Sequence, residues 1–323
     1  MSRLDWLLLL MTIIWGTNYS LIKTAFREID PQAFNALRLV QASCVLMATS
    51  LLVRRFHPAE NAEGRAAPEL ASIFHTPAPV TRADWIRLAW LGIIGHCFYQ
   101  LLFVGGLAKT SVANSSLILA LSPVVISLMS VVVSRERTGP LHWAGTLLSV
   151  FGIYIVVGRG AHVSADSLRG DLMLFGGVLC WAIYTIGARP LMARHSPVGI
   201  TALSMLIGTL VYVPIAAPAL ARVHWSGVSP LTWLKVVYSS LFAICVAYTI
   251  WYAAVREIGS ARTAVYSNLL PIVAMLTAYV WLREPLGFTK IAGASAVLAG
   301  VALTRMAQGS RLMAQADSSP EPA

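Results

Sequence analysis

"IIWGTNYSLIK", residues 13–23, belongs to an apolar run, 6–22, that suits a lipid bilayer, yet it sets Thr17, Asn18 and Tyr19 side by side and stops on Lys23. On the helical period Trp15, Asn18, Tyr19 and Ile22 stand at i, i+3, i+4 and i+7, one continuous face. An asparagine in hydrocarbon leaves amide groups unpaired, so this face must turn toward protein or water. Two readings stay open from these residues: Asn18 bonds a neighbouring helix as structural glue, or the face lines a wet cavity.

The rest of the 323-residue chain has the same character. Apolar residues make up 57% and charged residues 12%, with a mean hydropathy of +0.70; soluble domains carry about 25% charged residues. Uncharged runs recur at 6–22, 88–108, 110–134, 138–158, 172–188, 196–221, 236–255 and 263–282. Two more follow if one charge each is tolerated, 33–53 around Arg38 and 285–304 around Lys290. Most reach the roughly 20 residues that a spanning helix needs. The expectation is an all-α integral membrane protein of ten transmembrane helices.

The net charge of +10 does not imply a nucleic-acid partner, because Lys and Arg are scattered over short connections and no basic face collects them. It bears on topology. Arg54, Arg55, Arg65, Arg82 and Arg87 lie in or beside the loop before Trp85, which places that loop inside and both termini in the cytoplasm. The first run is long and lacks a small-x-small cleavage site before Trp15, so it reads as a span rather than a signal peptide. Cys44, Cys97, Cys180 and Cys245 fall inside apolar spans without paired spacing, and the seven histidines show no metal spacing. Neither disulfides, metal nor cofactor is expected.

The opening stretch occurs twice. At an offset of 166 residues Arg3 falls on Arg169, Asp5 on Asp171, Trp15 on Trp181, Lys23 on Arg189 and Pro31 on Pro197. Further along the offset is 148, matching Ala113 to Ala261, Pro123 to Pro271, Glu136 to Glu284, Gly145 to Gly293 and Gly152 to Gly300. Two five-helix units follow, 1–158 and 169–307, with 308–323 as a disordered tail. Since five is odd, the second unit enters the membrane from the opposite side, the inverted repeat that builds secondary transporters around a midplane site.

These residues resemble the ten-helix EamA-type transporters of the drug/metabolite transporter superfamily. The resemblance rests on "WGTNYSLIK" (15–23), "ALRL" (36–39), "PVVISLMSVVVSRE" (123–136) and "PIVAMLTAYVWLRE" (271–284), and covers the chain apart from the 54–84 loop and the tail. It implies export of amino acids or other small metabolites across the plasma (inner) membrane. The second unit departs from the first, with Tyr184 where Asn18 would repeat and Ser204 where Arg38 would.

Further stripes accompany the first. His96, Tyr99, Gln100 and Phe103 share one face of the third span; Trp181 and Tyr184 form the twin face on the sixth; Tyr248, Trp251 and Tyr252 follow on the eighth. Trp85, Trp90 and Trp143 suit an interfacial belt, but these stripes lie too deep for that. Rings with a polar edge fit a cargo that is part apolar and part hydrogen-bonding. Pro123 and Pro271 are expected as central kinks that free the carbonyls of Leu119 and Ser267, either for packing or as gate hinges, with Asn114, Ser116, Tyr266 and Asn268 nearby. Glu136 and Glu284 read as structural latches beside Arg135, Arg137 and Arg283. Lys23 and Arg38 either snorkel outward or face inward, where both could hold a cargo carboxylate. The paired glycines 145/152 and 293/300 mark packing between the fifth and tenth helices or between protomers of a homodimer.

The expected substrate-binding set is therefore Trp15, Asn18, Tyr19, His96, Tyr99, Gln100, Trp181, Tyr184, Tyr248, Trp251, Tyr252, Tyr266 and Asn268, around a central aromatic and polar cavity. The function expected is secondary transport of a small molecule. A membrane-embedded enzyme, or a receptor or scaffold, is the alternative; the acids lie near helix ends, in loops or in the tail, and no nucleophile pairs with a base. With no mid-depth Asp or Glu, facilitated diffusion is favoured, and proton exchange through His96 is the competing mechanism.

Overall fold

The proline and serine punctuation of the sequence places the helix starts. The computed structural model describes residues 3–56, 73, 78–122, 124–126, 128–129, 140–158, 164–192, 194–258, 266 and 269–317. Helix α1 is Arg3–Ala25; α2, Pro31–Phe56, opens on a proline whose missing N–H lies where the first turn has no partner for it. Helix α3, Arg82–Lys109, starts at a capping box in which the Thr81 hydroxyl accepts from the Asp84 N–H at 3.2 Å while Asp84 accepts from the Thr81 N–H at 3.0 Å. Ser111, Ser196 and Ser229 cap α4 (Val112–Leu119), α7 (Pro197–Arg222) and the start of α8 (Pro230–Ser240), each hydroxyl accepting from the amide three residues on. Helices α5, α6, α9 and α10 are Pro140–Gly158, Ala165–Met192, Leu270–Thr277 and Phe288–Asp317. The described residues include no strand.

Among the described residues six helices are long and apolar enough to cross a membrane, and four shorter apolar helices, Val112–Ile126, Trp143–Gly152, Leu270–Leu282 and Phe288–Gly300, lie at the remaining expected positions. Pro271 sits in the first turn of α9, one of the positions where a helix tolerates proline. Helix α10 runs to Asp317, into the segment expected as a disordered tail, carried by good helix formers such as Arg311, Leu312, Met313 and Ala314. At the other proline, Ser122 donates to the Leu119 carbonyl at 2.6 Å, the group that Pro123 leaves without an amide. Pro123 itself, Glu136 and Asn268 lie outside the described residues, as does the side chain of Tyr252.

The internal offset reappears in the backbone. Helix α3 widens into a π-helix at Ile93–Phe98, and α8 does the same at Leu241–Val246, 148 residues on, before resuming at Ala247–Ile258. Residues at twin positions also touch. The hydroxyls of Ser43 on α2 and Thr209 on α7 lie 2.9 Å apart, and Ser149 on α5 donates to the Val297 carbonyl on α10 at 3.4 Å.

Small residues set the helix contacts. A Cβ on Gly152 would strike the Gly293 carbonyl and Val297 of α10, and one on Gly300 the Gly145 carbonyl and Ser149 of α5, so the glycine pairs pack α5 against α10 within one chain. A Cβ on Gly208 of α7 would likewise meet the Gly92 carbonyl and His96 of α3. Trp85, Trp90 and Trp143 face away from the bundle. Cys44 is exposed, Cys97 and Cys245 are buried, and all four cysteines are free thiols.

Candidate functional site

The deep stripes converge. Trp15 of α1 meets Tyr248 and Trp251 of α8 with ring centroids 5.9 and 5.8 Å apart. Trp181 of α6 bridges Tyr99 of α3 at 5.5 Å, Tyr184 at 5.7 Å and Tyr248 at 6.3 Å. Phe103 stacks on Tyr99 at 5.8 Å and meets the edge of Tyr19 at 5.7 Å. One aromatic array thus joins α1, α3, α6 and α8, all from faces set by helical spacing. Its rings contact one another rather than framing an empty chamber. Trp15, Tyr99, Trp181, Tyr248 and Trp251 are nevertheless only half-buried, leaving part of each ring uncovered.

Both π-helical segments border this array. The Trp15 indole N–H donates to the Ala243 carbonyl inside the α8 segment at 2.7 Å. Gly95, inside the α3 segment, lacks the Cβ that would collide with the Tyr184 ring. π-helical turns disturb the regular ladder and recur at functional sites.

Each expected polar residue has a definite place. Asn18 is buried and its side-chain oxygen has no hydrogen-bond partner. His96 is fully buried, packs edge-on to Tyr184 at 4.9 Å, and neither ring nitrogen has a partner. The Tyr184 hydroxyl lies 3.3 Å from that of Ser204, so the departures from the first unit bond each other. Tyr266 stands apart from the array centre: like Trp15 and Trp251 it packs against the buried cluster that includes Met11 and Ala247, and its hydroxyl donates to Asp5 at 2.6 Å, at the start of α1.

Arg38 faces inward. It is 2% exposed, donates to Gln100 Oε1 at 2.6 Å and to Ser239 Oγ at 3.2 Å, and lies 5.9 Å from the Phe103 ring centre. Ser239 and Tyr212, whose hydroxyl donates to Gln32, escaped the sequence reading because a single Ser or Tyr in an apolar span carries no periodic signal. Gln32 also lines an open cleft of about 490 Å³ at one end of the bundle, with Asp30, Gly105, Lys109 and Asp166.

Lys23 and Glu284 are joined elsewhere. Glu284 Oε1 accepts from the Val112 N–H at 2.9 Å and Oε2 from the Ala113 N–H at 3.4 Å, a carboxylate on the positive end of α4. Lys23 Nζ stands 3.9 Å from Glu284 and donates to the Thr110 carbonyl. Arg283, at φ 56°, turns the chain left-handed after a last π-helical turn, Ala278–Leu282, and so aims Glu284 at α4 rather than at a neighbouring arginine.

Comparison with known proteins fits this geometry. The model of a family described as "EamA-like transporter family" matches residues 3–158 and again 168–306. An uncharacterized transporter, YyaM of Bacillus subtilis, is 24% identical over 91% of this chain and 91% of its own. A probable terminal-alkyne amino-acid exporter of Streptantibioticus cattleyicolor is 24% identical over 94% of this chain and 93% of its own. A solved structure superposes with a TM-score of 0.62 at 18% identity, covering 97% of this chain and 98% of that one, a likeness of fold alone.

Proposed function

The chain belongs to the EamA-like transporter family, and we propose that it moves small metabolites, amino acids or related compounds, across the plasma (inner) membrane as an exporter or facilitator. The observation that carries this reading is the aromatic array shared by α1, α3, α6 and α8, with Arg38 and Gln100 bonded beside it. Structural cores seldom hold a buried arginine, a fully buried histidine and an unpaired asparagine oxygen so close to half-covered rings; a polar cargo gives such groups partners. The central cavity of this proposal opens between those rings as the two units move. In that reading they insert as inverted repeats, 1–158 and 169–307, with both termini cytoplasmic.

Transport is favoured over enzymatic chemistry because, among the described residues, the polar side chains around the array include no nucleophile hydrogen-bonded to a base. Facilitated diffusion is favoured over proton exchange because His96 has no hydrogen-bonded route from either ring nitrogen. Counterflow of radiolabelled amino acids in proteoliposomes tests both points. Counterflow should persist without a pH gradient and survive His96→Gln. Chemical turnover without solute movement would favour the enzyme, and uphill movement driven by an imposed pH gradient and lost in His96→Gln would establish proton coupling.

A further inference from the structure

Arg38 is a buried cation without a buried anion. Its two side-chain hydrogen bonds go to neutral groups, Gln100 Oε1 and Ser239 Oγ, and its Nε–H has no acceptor. Among the described residues no carboxylate lies within 4.0 Å of it, whereas Lys23 is committed to Glu284 and the Thr110 carbonyl. Burying a guanidinium without a counter-charge is strongly unfavourable, and a full apolar replacement would remove that penalty. The fold keeps the charge and leaves a donor open.

Its surroundings describe a ligand. Phe103 covers the guanidinium at 5.9 Å and begins the ring series that continues through Tyr99 and Trp181, an apolar wall next to one fixed positive fork. A planar guanidinium binds a carboxylate through two parallel N–H bonds, which an ammonium cannot do. An open cleft lies farther along the same two helices. The cleft of about 490 Å³ is lined by Gln32 of α2 and Gly105 of α3, each roughly 7 to 9 Å along its helix from Arg38 and Gln100 at 1.5 Å per residue.

We propose that Arg38 anchors the anionic group of the cargo, so that the site takes amphipathic carboxylates whose apolar body lies on the Phe103, Tyr99 and Trp181 rings. This assignment rests on the transport reading for its purpose but not for its test. Gln100 and Ser239 act as positioning residues that hold the guanidinium plane.

The experiment uses the full chain in nanodiscs and matched probes: L-phenylalanine and 3-phenylpropionate against L-phenylalaninamide and 3-phenylpropanamide. Both carboxylates should raise the melting temperature, with each amide at least about tenfold weaker, since one charge-assisted bidentate contact is lost. Arg38→Gln should abolish the preference, and Arg38→Lys should weaken it while retaining its direction. Should those variants fold poorly, the wild-type chain still decides: phenylglyoxal modification of Arg38, read by mass spectrometry, should be slowed by 3-phenylpropionate and not by its amide. Equal protection by acid and amide, no protection by either acid, or an Arg38 that never reacts would overturn the assignment. Counterflow separates the two proposals. Arg38-dependent binding without flux would sink transport and leave the anchor; 3-phenylpropionate flux unaffected by Arg38→Gln would sink the anchor and leave transport.

Discussion

Ser43 and Thr209 occupy equivalent positions in the two units, 166 residues apart, and share a buried hydrogen bond of 2.9 Å between α2 and α7. Each hydroxyl is the other's partner. Ser43→Ala or Thr209→Val alone should lower stability by about 0.6 to 1.7 kcal/mol, the range for polar pairs between membrane helices. The double variant should lose less than the sum, because no hydroxyl is then left unpaired. Strictly additive losses in thermal unfolding would show that the bond contributes nothing.

Glu284 ties the end of α9 to the start of α4 and to Lys23. Glu284→Gln keeps an acceptor but removes the charge that the α4 terminus and Lys23 attract, a loss of about 1 kcal/mol. Thermal unfolding of the two forms measures it. Labelling of a cysteine placed at Thr110 by a membrane-impermeant maleimide should rise in parallel; unchanged labelling and unchanged melting together would remove the latch from the account.

Gly208 separates packing from composition. Its backbone meets that of Gly92 too closely for any Cβ, while a Cβ on Gly227 would find nothing within 4 Å. Gly208→Ala should therefore destabilise by about 1 to 3 kcal/mol through overpacking of α3 against α7. Gly227→Ala should fall within about 0.5 kcal/mol of wild type. Equal melting temperatures for the two would refute the close approach.

Acid should loosen the turn between α1 and α2. Glu28, outside the spans, accepts from the Ser229 N–H at 2.8 Å and the Ser229 hydroxyl at 3.0 Å, and these bonds hold its carboxyl below the usual glutamate value. A lowered folded-state pKa contributes stability above the ordinary carboxylate range, and that contribution is lost as pH falls through the folded value. Melting temperature should drop more steeply below about pH 4.5 in wild type than in Glu28→Gln. Parallel curves for the two chains would remove Glu28 from the acid response.

The half-covered rings predict reach by solvent. Single cysteines at Tyr99 and Tyr248 should react with a small water-soluble thiol reagent at least about tenfold faster than one at Leu147, which faces outward, because the bilayer core excludes such reagents. Cys44, Cys97, Cys180 and Cys245 are first replaced by serine or alanine. Equal rates at all three sites would place the cavity elsewhere.

Much of this protein can be read without coordinates. An apolar span in a bilayer has only the helix available, since no water exists there to satisfy backbone groups, so long uncharged runs determine element type and approximate number. The constant offsets made the twin π-helical segments of α3 and α8 equivalent before either was seen. Helical periodicity likewise put Trp15, Asn18 and Tyr19 on one face, and His96, Tyr99, Gln100 and Phe103 on another. Periodicity assigns a face, however, and never a partner. Whether Arg38 snorkelled or turned inward, whether Glu284 met an arginine or the amides of α4, and whether Tyr266 joined the rings or bonded Asp5 depended on which helices lie side by side. Pro271 shows the same limit: its ring fixes φ and removes an N–H wherever it stands, but only the position of the helix start decides whether that breaks a bond or leaves none to break. Those choices belong to tertiary structure because each polar group in the bundle must find its partner across a helix interface, at sequence separations of up to 261 residues.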